Sequence, residues 1–207
     1  MEDLKKMSLK ELEDLCGDIR SEIIEVVCKN GGHLGPNLGV VELSTALHYV
    51  YNSPVDKIVW DVGHQSYVHK MLTGRRDRFH TIRKRGGLGP FTDPNESIHD
   101  QFISGHAGSA LSVSAGLAAA NPDKNVAVVI GDASFANGTT LEALNDINGK
   151  LKNLTIIIND NEMSIGENVG AISGILNKVI NSSFYLKLRK DLRYVLSRYN
   201  LTKPIVK

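Results

Sequence analysis

Two short segments of this chain could together hold a hard cation and the phosphate it carries. Gly131-Asp132-Ala133-Ser134 follows the apolar run Val126–Ile130, and Asn159-Asp160-Asn161-Glu162-Met163 follows Thr155–Ile158. Both runs read as buried strands. A right-handed crossover between them makes the strands parallel and brings their carboxyl ends to one edge, where open α/β sheets take their ligands. There Asp132 offers a carboxylate oxygen and Asn161 an amide oxygen. Phosphate oxygens, water and a backbone carbonyl complete the octahedral oxygen shell that Mg2+ prefers. A Gly-Asp pair after a strand is, by itself, more often a tight turn whose Asp caps the next helix. The second acidic–amide segment is what favours a magnesium–diphosphate site.

Histidines supply the candidate acid–base groups, because a neutral imidazole takes or gives a proton near pH 7. His33 lies in Gly32-His33-Leu34-Gly35-Pro36-Asn37-Leu38-Gly39, a stretch too rich in turn formers to read as helix or strand. His64 follows Asp61-Val62-Gly63 at the end of the short strand Ile58–Trp60, and His106 in Gly105-His106-Ala107-Gly108 opens a small-residue helix, Ser109–Ala120. His69, four residues past Gln65 on a helix expected over Tyr67–Leu72, reads as structural or as a support behind the site. On residue type alone, each of the other three is more often a structural loop histidine.

The elements that must position these groups alternate as α/β. Ser8 and Glu11 form a capping-box pair ahead of Leu9, Leu12, Leu15, Ile19, Ile23 and Val26 at helical spacing, and Gly31-Gly32 ends that helix. Val40–Tyr51 is a buried helix, and Thr139–Asn148 is the crossover helix between the two strands. The stretch Gly86–Asp100 is a long loop of the kind that usually carries function. The fold class is therefore α/β, a three-layer αβα arrangement around a parallel sheet. Residues 1–174 form the diphosphate- and metal-binding domain, and 175–207 are a basic, helical C-terminal segment.

Composition excludes several classes. A net charge of +1 gives no global case for nucleic-acid binding. No apolar run approaches the ~18 residues of a membrane span. The two cysteines, Cys16 and Cys28, suggest neither a disulfide framework nor a metal-ligand pattern. A cytoplasmic protein with no membrane partner is expected.

The motifs GDASFANGTTLEALN and IIINDNEMSI resemble the thiamine-diphosphate motif of the transketolase superfamily. GGHLGPNLGVVEL, KIVWDVGHQSYVHKMLTGRRDRFHTIR and NDNEMSIGENVGAIS narrow the likeness to the N-terminal domain of the 1-deoxy-D-xylulose-5-phosphate synthase family, from about Gly31 to Ser173. The resemblance implies thiamine diphosphate and Mg2+ as cofactors, with pyruvate and glyceraldehyde 3-phosphate as substrates. It implies proton transfer at the reacting carbon for His33, and a place beside cofactor and substrate for His64. Gly105, His106 and Ala107 would meet the diphosphate through backbone amides at a helix N-terminus. Asp132, Ala133, Ser134 and Asn161 would bind the cofactor, with Asp132, Asn161 and the backbone carbonyl of Met163 on the metal.

Three departures qualify that picture. Ala133 stands where the family usually has glycine, a costly change if the site needs positive φ. Ala107-Gly108 replaces the serines the family commonly has there, removing a hydroxyl contact to the diphosphate. Nothing after Ser173 resembles the family's second domain, whose glutamate protonates the cofactor's aminopyrimidine. The chain alone is thus expected to be inactive, acting as a homodimer or with a C-terminal half. A subunit of a split transketolase-type enzyme and a non-catalytic remnant that binds cofactor weakly are the alternatives.

Overall fold

The computed structural model of the chain describes residues 3–147, 149, 151–159 and 187. All but Lys187 fall in Met1–Met163, one of two compact units into which the chain divides, the other being Ser164–Lys207. Asn161, Met163 and the basic segment 175–207 lie outside the described residues, Lys187 apart.

Helix α1 (Leu9–Asn30) starts as its capping box requires: Ser8 accepts from the Glu11 N–H, and Glu11 accepts from the Ser8 N–H at 2.7 Å. Gly31, at φ +75°, ends it with its N–H on the Val27 carbonyl. The turn-rich stretch that follows is not simply a loop. Leu34–Leu38 closes one helical turn, α2, because Pro36 and Asn37 tolerate the first turn of a helix and the Gly39 N–H returns to the Gly35 carbonyl. Helix α3 is Val41–Val50 and strand β1 is Lys57–Trp60. Helix α4 is shorter than expected, Tyr67–Lys70; the chain then kinks through Met71–Arg75, where Thr73 and Gly74 leave helical angles, into a 3-10 turn over Arg76–Thr81.

Residues 82–109 contain no helix or strand. The chain resumes with α5 (Ala110–Ala120), β2 (Val126–Gly131), the single turn α6 (Asp132–Phe135), α7 (Gly138–Ile147) and β3 (Leu154–Asn159). The strands pair in the order β1-β2-β3, all parallel, with Trp60 opposite Val129 and Gly131 opposite Asn159. One sheet face (Val59, Val126, Val128, Ile130) packs on α5 and α7, the other (Ile58, Trp60, Ala127, Val129) on α3. This is the three-layer αβα arrangement. The strand β3 is less buried than its apolar sequence suggested, with Ile158 42% exposed, because it forms an edge of the described sheet.

A buried ionic cluster shapes the long loop. Lys70, fully buried, donates to Glu96. The Arg75 guanidinium bridges Glu96 (2.8 Å) and both Asp100 oxygens (2.9 and 2.8 Å). Two cations face two anions, so the cluster is neutral, and the spare carboxylate capacity takes loop amides: Gly89 N–H on Glu96 and Asp93 N–H on Asp100. Burial opposes the charge on Asp100, but hydrogen bonds from His69 and Arg75 outweigh it and hold the carboxyl below its ordinary range. His69 Nε2 donates to Asp100 at 3.0 Å, so its Nδ1 accepts from His48 Nε2 at 2.9 Å. That chain keeps His69 neutral, because its Nδ1 must accept. Burial above all, then the neighbouring His69, pushes His48 down to about 2, and burial also lowers His69.

Removing one cap oxygen is expected to cost about 1 kcal/mol: Ser8→Ala should lower the thermal midpoint by a few degrees, whereas Ser21→Ala on the exposed face of α1 should leave it unchanged. The histidines set an acid limit. Their folded values lie below the ~6.5 of the unfolded chain, so unfolding takes up protons below that pH. Stability should be full above about pH 6.5 and fall as pH drops, by at least about 1 kcal/mol between about pH 7 and pH 5. Urea denaturation across that range measures it, and His48→Gln should flatten the slope; a flat native profile would count against neutral, buried histidines.

Candidate functional site

At the end of β1 the chain makes a strained three-residue turn. The Gly63 N–H closes on the Asp61 carbonyl at 2.6 Å, and Val62 between them sits at φ +60°, an outlier for a β-branched residue. Gly63 itself is at φ +80°, and a Cβ there would lie 2.2 Å from Ser104 Oγ, so only glycine fits. This turn delivers His64 to the carboxyl edge of the sheet. His33 arrives from the other side, after Gly31 and Gly32 at φ +75° and +145°, with its N–H on the Tyr67 hydroxyl at 3.4 Å.

The two imidazoles meet edge to face, with ring centroids 5.6 Å apart and an interplanar angle of 75°. Phe91 of the long loop stands 5.9 Å from His33. Each ring keeps a buried Nδ1 without a partner among the described residues. Burial lowers the pKa of both; Arg83 adds to the effect at His33, and His33 adds to it at His64, where Asp61 opposes it. Near pH 7 both are therefore neutral proton acceptors. A carboxylate, an imidazole pair and an aromatic wall share one edge of the sheet.

The Gly105-His106-Ala107 segment is exposed, but it does not open the helix as expected. The helix begins at Ala110, and two amides at its start are already taken: the buried Asp61 carboxylate accepts from Gly108 (3.0 and 3.2 Å) and from Ala110 (3.3 Å). A carboxylate from the neighbouring strand end fills the anion position of that N-terminus. The exposed 105–107 segment, not the Gly108 and Ala110 amides, is what can face a ligand anion.

Asp132 follows β2 directly, half-buried, as the first residue of α6, and Ala133 is exposed beside it. Ala133 takes ordinary helical angles, since Val62 and Arg83 are the non-glycine residues at positive φ among those described. The glycine-to-alanine departure is therefore unstrained. Ser134 is buried, and its carbonyl accepts from the Asn137 N–H and from Thr140 Oγ1 at 2.8 Å. The same Thr140 hydroxyl lies 3.3 Å from the Gly108 carbonyl, tying the 105–108 and 132–134 segments together. A magnesium shell of aspartate, amide and carbonyl oxygens needs no cluster of three His, Cys, Asp or Glu side chains, and none occurs among the described residues. Asp132 is the one expected metal ligand within them.

Sequence reasoning passed over four groups that build this edge. Asp61 occupies at β1 the place Asp132 occupies at β2, which was a readable signal. Thr140, Asn37 and the Gln65–Asn159 pair (3.2 Å, joining the ends of β1 and β3) were not readable, because each acts through contacts distant in sequence. A groove of about 480 Å³ between α5 and α7, lined by Ala115, Gly116, Ala119 and Glu142 among others, contains none of the site residues.

Comparison with known proteins bears on the same residues. The family model described as 1-deoxy-D-xylulose-5-phosphate synthase matches residues 1–207. Proteins of that name from Fusobacterium nucleatum (57% identical over 91% of this chain and 32% of the relative), Caldanaerobacter subterraneus (50%, 99% and 33%) and Clostridium acetobutylicum (48%, 99% and 34%) are similar to it. The chain spans about one third of the length of the curated relatives it matches.

The histidine pair makes a direct prediction. NMR titration of the ring protons should place the midpoints of His33 and His64 below ~6.5. Arg83→Gln removes a nearby positive charge, so it should raise the His33 midpoint. Midpoints at or above the ordinary value would show that neither ring is desolvated.

Proposed function

We infer the function from one premise: this chain belongs to the 1-deoxy-D-xylulose-5-phosphate synthase family. On it we propose that the chain is the N-terminal portion of a thiamine-diphosphate-dependent transferase that joins a two-carbon unit from pyruvate to glyceraldehyde 3-phosphate. The product, 1-deoxyxylulose 5-phosphate, would serve isoprenoid, thiamine and pyridoxal precursor synthesis. One observation supports this most. The histidine pair, the exposed 105–107 segment and Asp132 converge on one sheet edge, joined through Asp61 and Thr140.

The residues fit the cofactor. Asp132 would hold Mg2+ with Asn161 and the Met163 carbonyl, and the amides of Gly105, His106 and Ala107 would receive the diphosphate. When bound, thiamine diphosphate supplies stabilisation of negative charge at the reacting carbon. His33 and His64 would do what neutral imidazoles can, taking a proton at Nδ1 or returning it, where Phe91 and burial limit water. His64 would also border the cofactor.

Alone, the chain should lack synthase turnover, since it spans one third of the relatives' length. Completion by a second copy in a homodimer, or by a C-terminal half, fits the same arrangement, in the cytoplasm; no helix among the described residues is long and apolar enough to cross a membrane. Calorimetric titration tests the cofactor reading. Thiamine diphosphate with magnesium should give binding heat on the native chain, and Asp132→Ala should abolish it. Absence of heat on the native chain would remove the cofactor site from the isolated chain, and turnover of the two substrates by the chain alone would refute its dependence on a second part.

A further inference from the structure

Asn37 is fully buried in α2, and its carboxamide makes three hydrogen bonds, all to backbone. Nδ2 donates to the His33 carbonyl at 2.7 Å and to the His64 carbonyl at 2.8 Å, using both of its protons. Oδ1 accepts from the Tyr67 N–H at 2.9 Å, at the start of α4. One side chain thus links the two histidine-bearing loops, whose residues are 31 positions apart, and fastens both to the helix that follows the second. The remaining constraints on the pair are weaker or one-sided. The Tyr67 hydroxyl holds only the His33 backbone, and the Gly63 turn orients only His64.

We propose that Asn37 is a positioning residue that sets the spacing and edge-to-face geometry of His33 and His64, a role that rests on the catalytic reading of that pair. No other side-chain group described in the structure spans both backbones. Carbonyl oxygens repel one another, and a nitrogen that donates a proton to each offsets that repulsion where the His33 and His64 carbonyls converge. Aspartate has the same shape but presents an oxygen to both carbonyls, with at most one proton to offer. Asn37→Asp should therefore push the loops apart while changing the local volume little.

The test is ring-to-ring NMR on the 207-residue chain with labelled histidine, together with turnover of the catalytically complete, full-length protein. In the native chain a His33–His64 ring cross-peak is expected. In Asn37→Asp it should vanish while the amide shifts of β1, β2 and β3 persist, and kcat of the full-length protein should fall about 10- to 100-fold with KM little changed. Asn153→Asp is the control. Asn153 bridges the carbonyls of Ala118, Asn121 and Lys124 at the opposite end of the sheet, so its loss should lower stability and keep the cross-peak.

Should Asn37→Asp fail to fold, Asn37→Ser keeps one donor and a smaller volume, and the native carboxamide protons offer a further check. They should exchange slowly and show contacts to both loops. A cross-peak of native intensity in a folded Asn37 variant, or fast exchange of those protons, overturns the proposal. If His33→Ala and His64→Ala leave turnover intact while Asn37 variants still lose the cross-peak, the catalytic reading fails and the positioning role stands.

Discussion

The arrangement of this molecule depends on a buried carboxylate at the end of the first strand. Asp61 sits one residue past β1 with 1% of its surface exposed, and it satisfies the free amides of Gly108 and Ala110 at the start of α5. A buried charge without partners would cost several kcal/mol, so the helix N-terminus and the strand end are bound to each other. That contact adds to the apolar packing of α5 on the sheet, the Asp61 carbonyl closes the strained turn that carries His64, and the 105–107 segment stays exposed. Thr140 extends the connection to the Asp132–Ser134 segment.

The second organising principle is charge neutrality in a place where water cannot help. Lys70, Arg75, Glu96 and Asp100 cancel one another, and the two neutral imidazoles of His48 and His69 continue the hydrogen-bond chain without adding charge. A long loop rich in glycine and proline has no ladder of its own to hold it. Here its amides are held by the carboxylates of the cluster, so that Phe91 stands against His33 and Thr92 is locked to Ser104 at 2.8 Å. The loop is ordered by electrostatics at its far side and presents an apolar wall at the near side.

These features divide the labour of the edge. The parallel sheet gathers the strand ends, strain and glycine at residues 62–63 aim His64, and Asn37 ties the two histidine loops. Among the described residues the imidazole pair is desolvated without a charged partner in direct contact, which keeps it neutral and leaves both Nδ1 atoms unbonded there. That is a suitable state for moving a proton, and it follows from burial rather than from any one neighbouring residue.

Much of this was legible in the residues themselves. The Ser8–Glu11 box, the 3.6-residue spacing of α1, the apolar runs of β1 and β2 and the glycine at residue 31 act over a few positions, so their physics is written locally. That the ends of the strands before His64 and Asp132 share an edge followed from parallel pairing, since strands joined by right-handed crossovers share a carboxyl edge; the place of His33 and Gly105–Ala107 beside them was implied by the family resemblance. Other features were decided only by tertiary structure. Whether Ala133 was strained depended on α6 starting at Asp132; whether the α5 amides were open to an anion depended on Asp61, 47 residues away in sequence from Gly108. The roles of Asn37, Thr140 and the Lys70–Asp100 cluster likewise depend on partners that sequence periodicity cannot pair. Local propensity determined which elements form, and long-range satisfaction of buried polar groups decided which of their ends remain free to act.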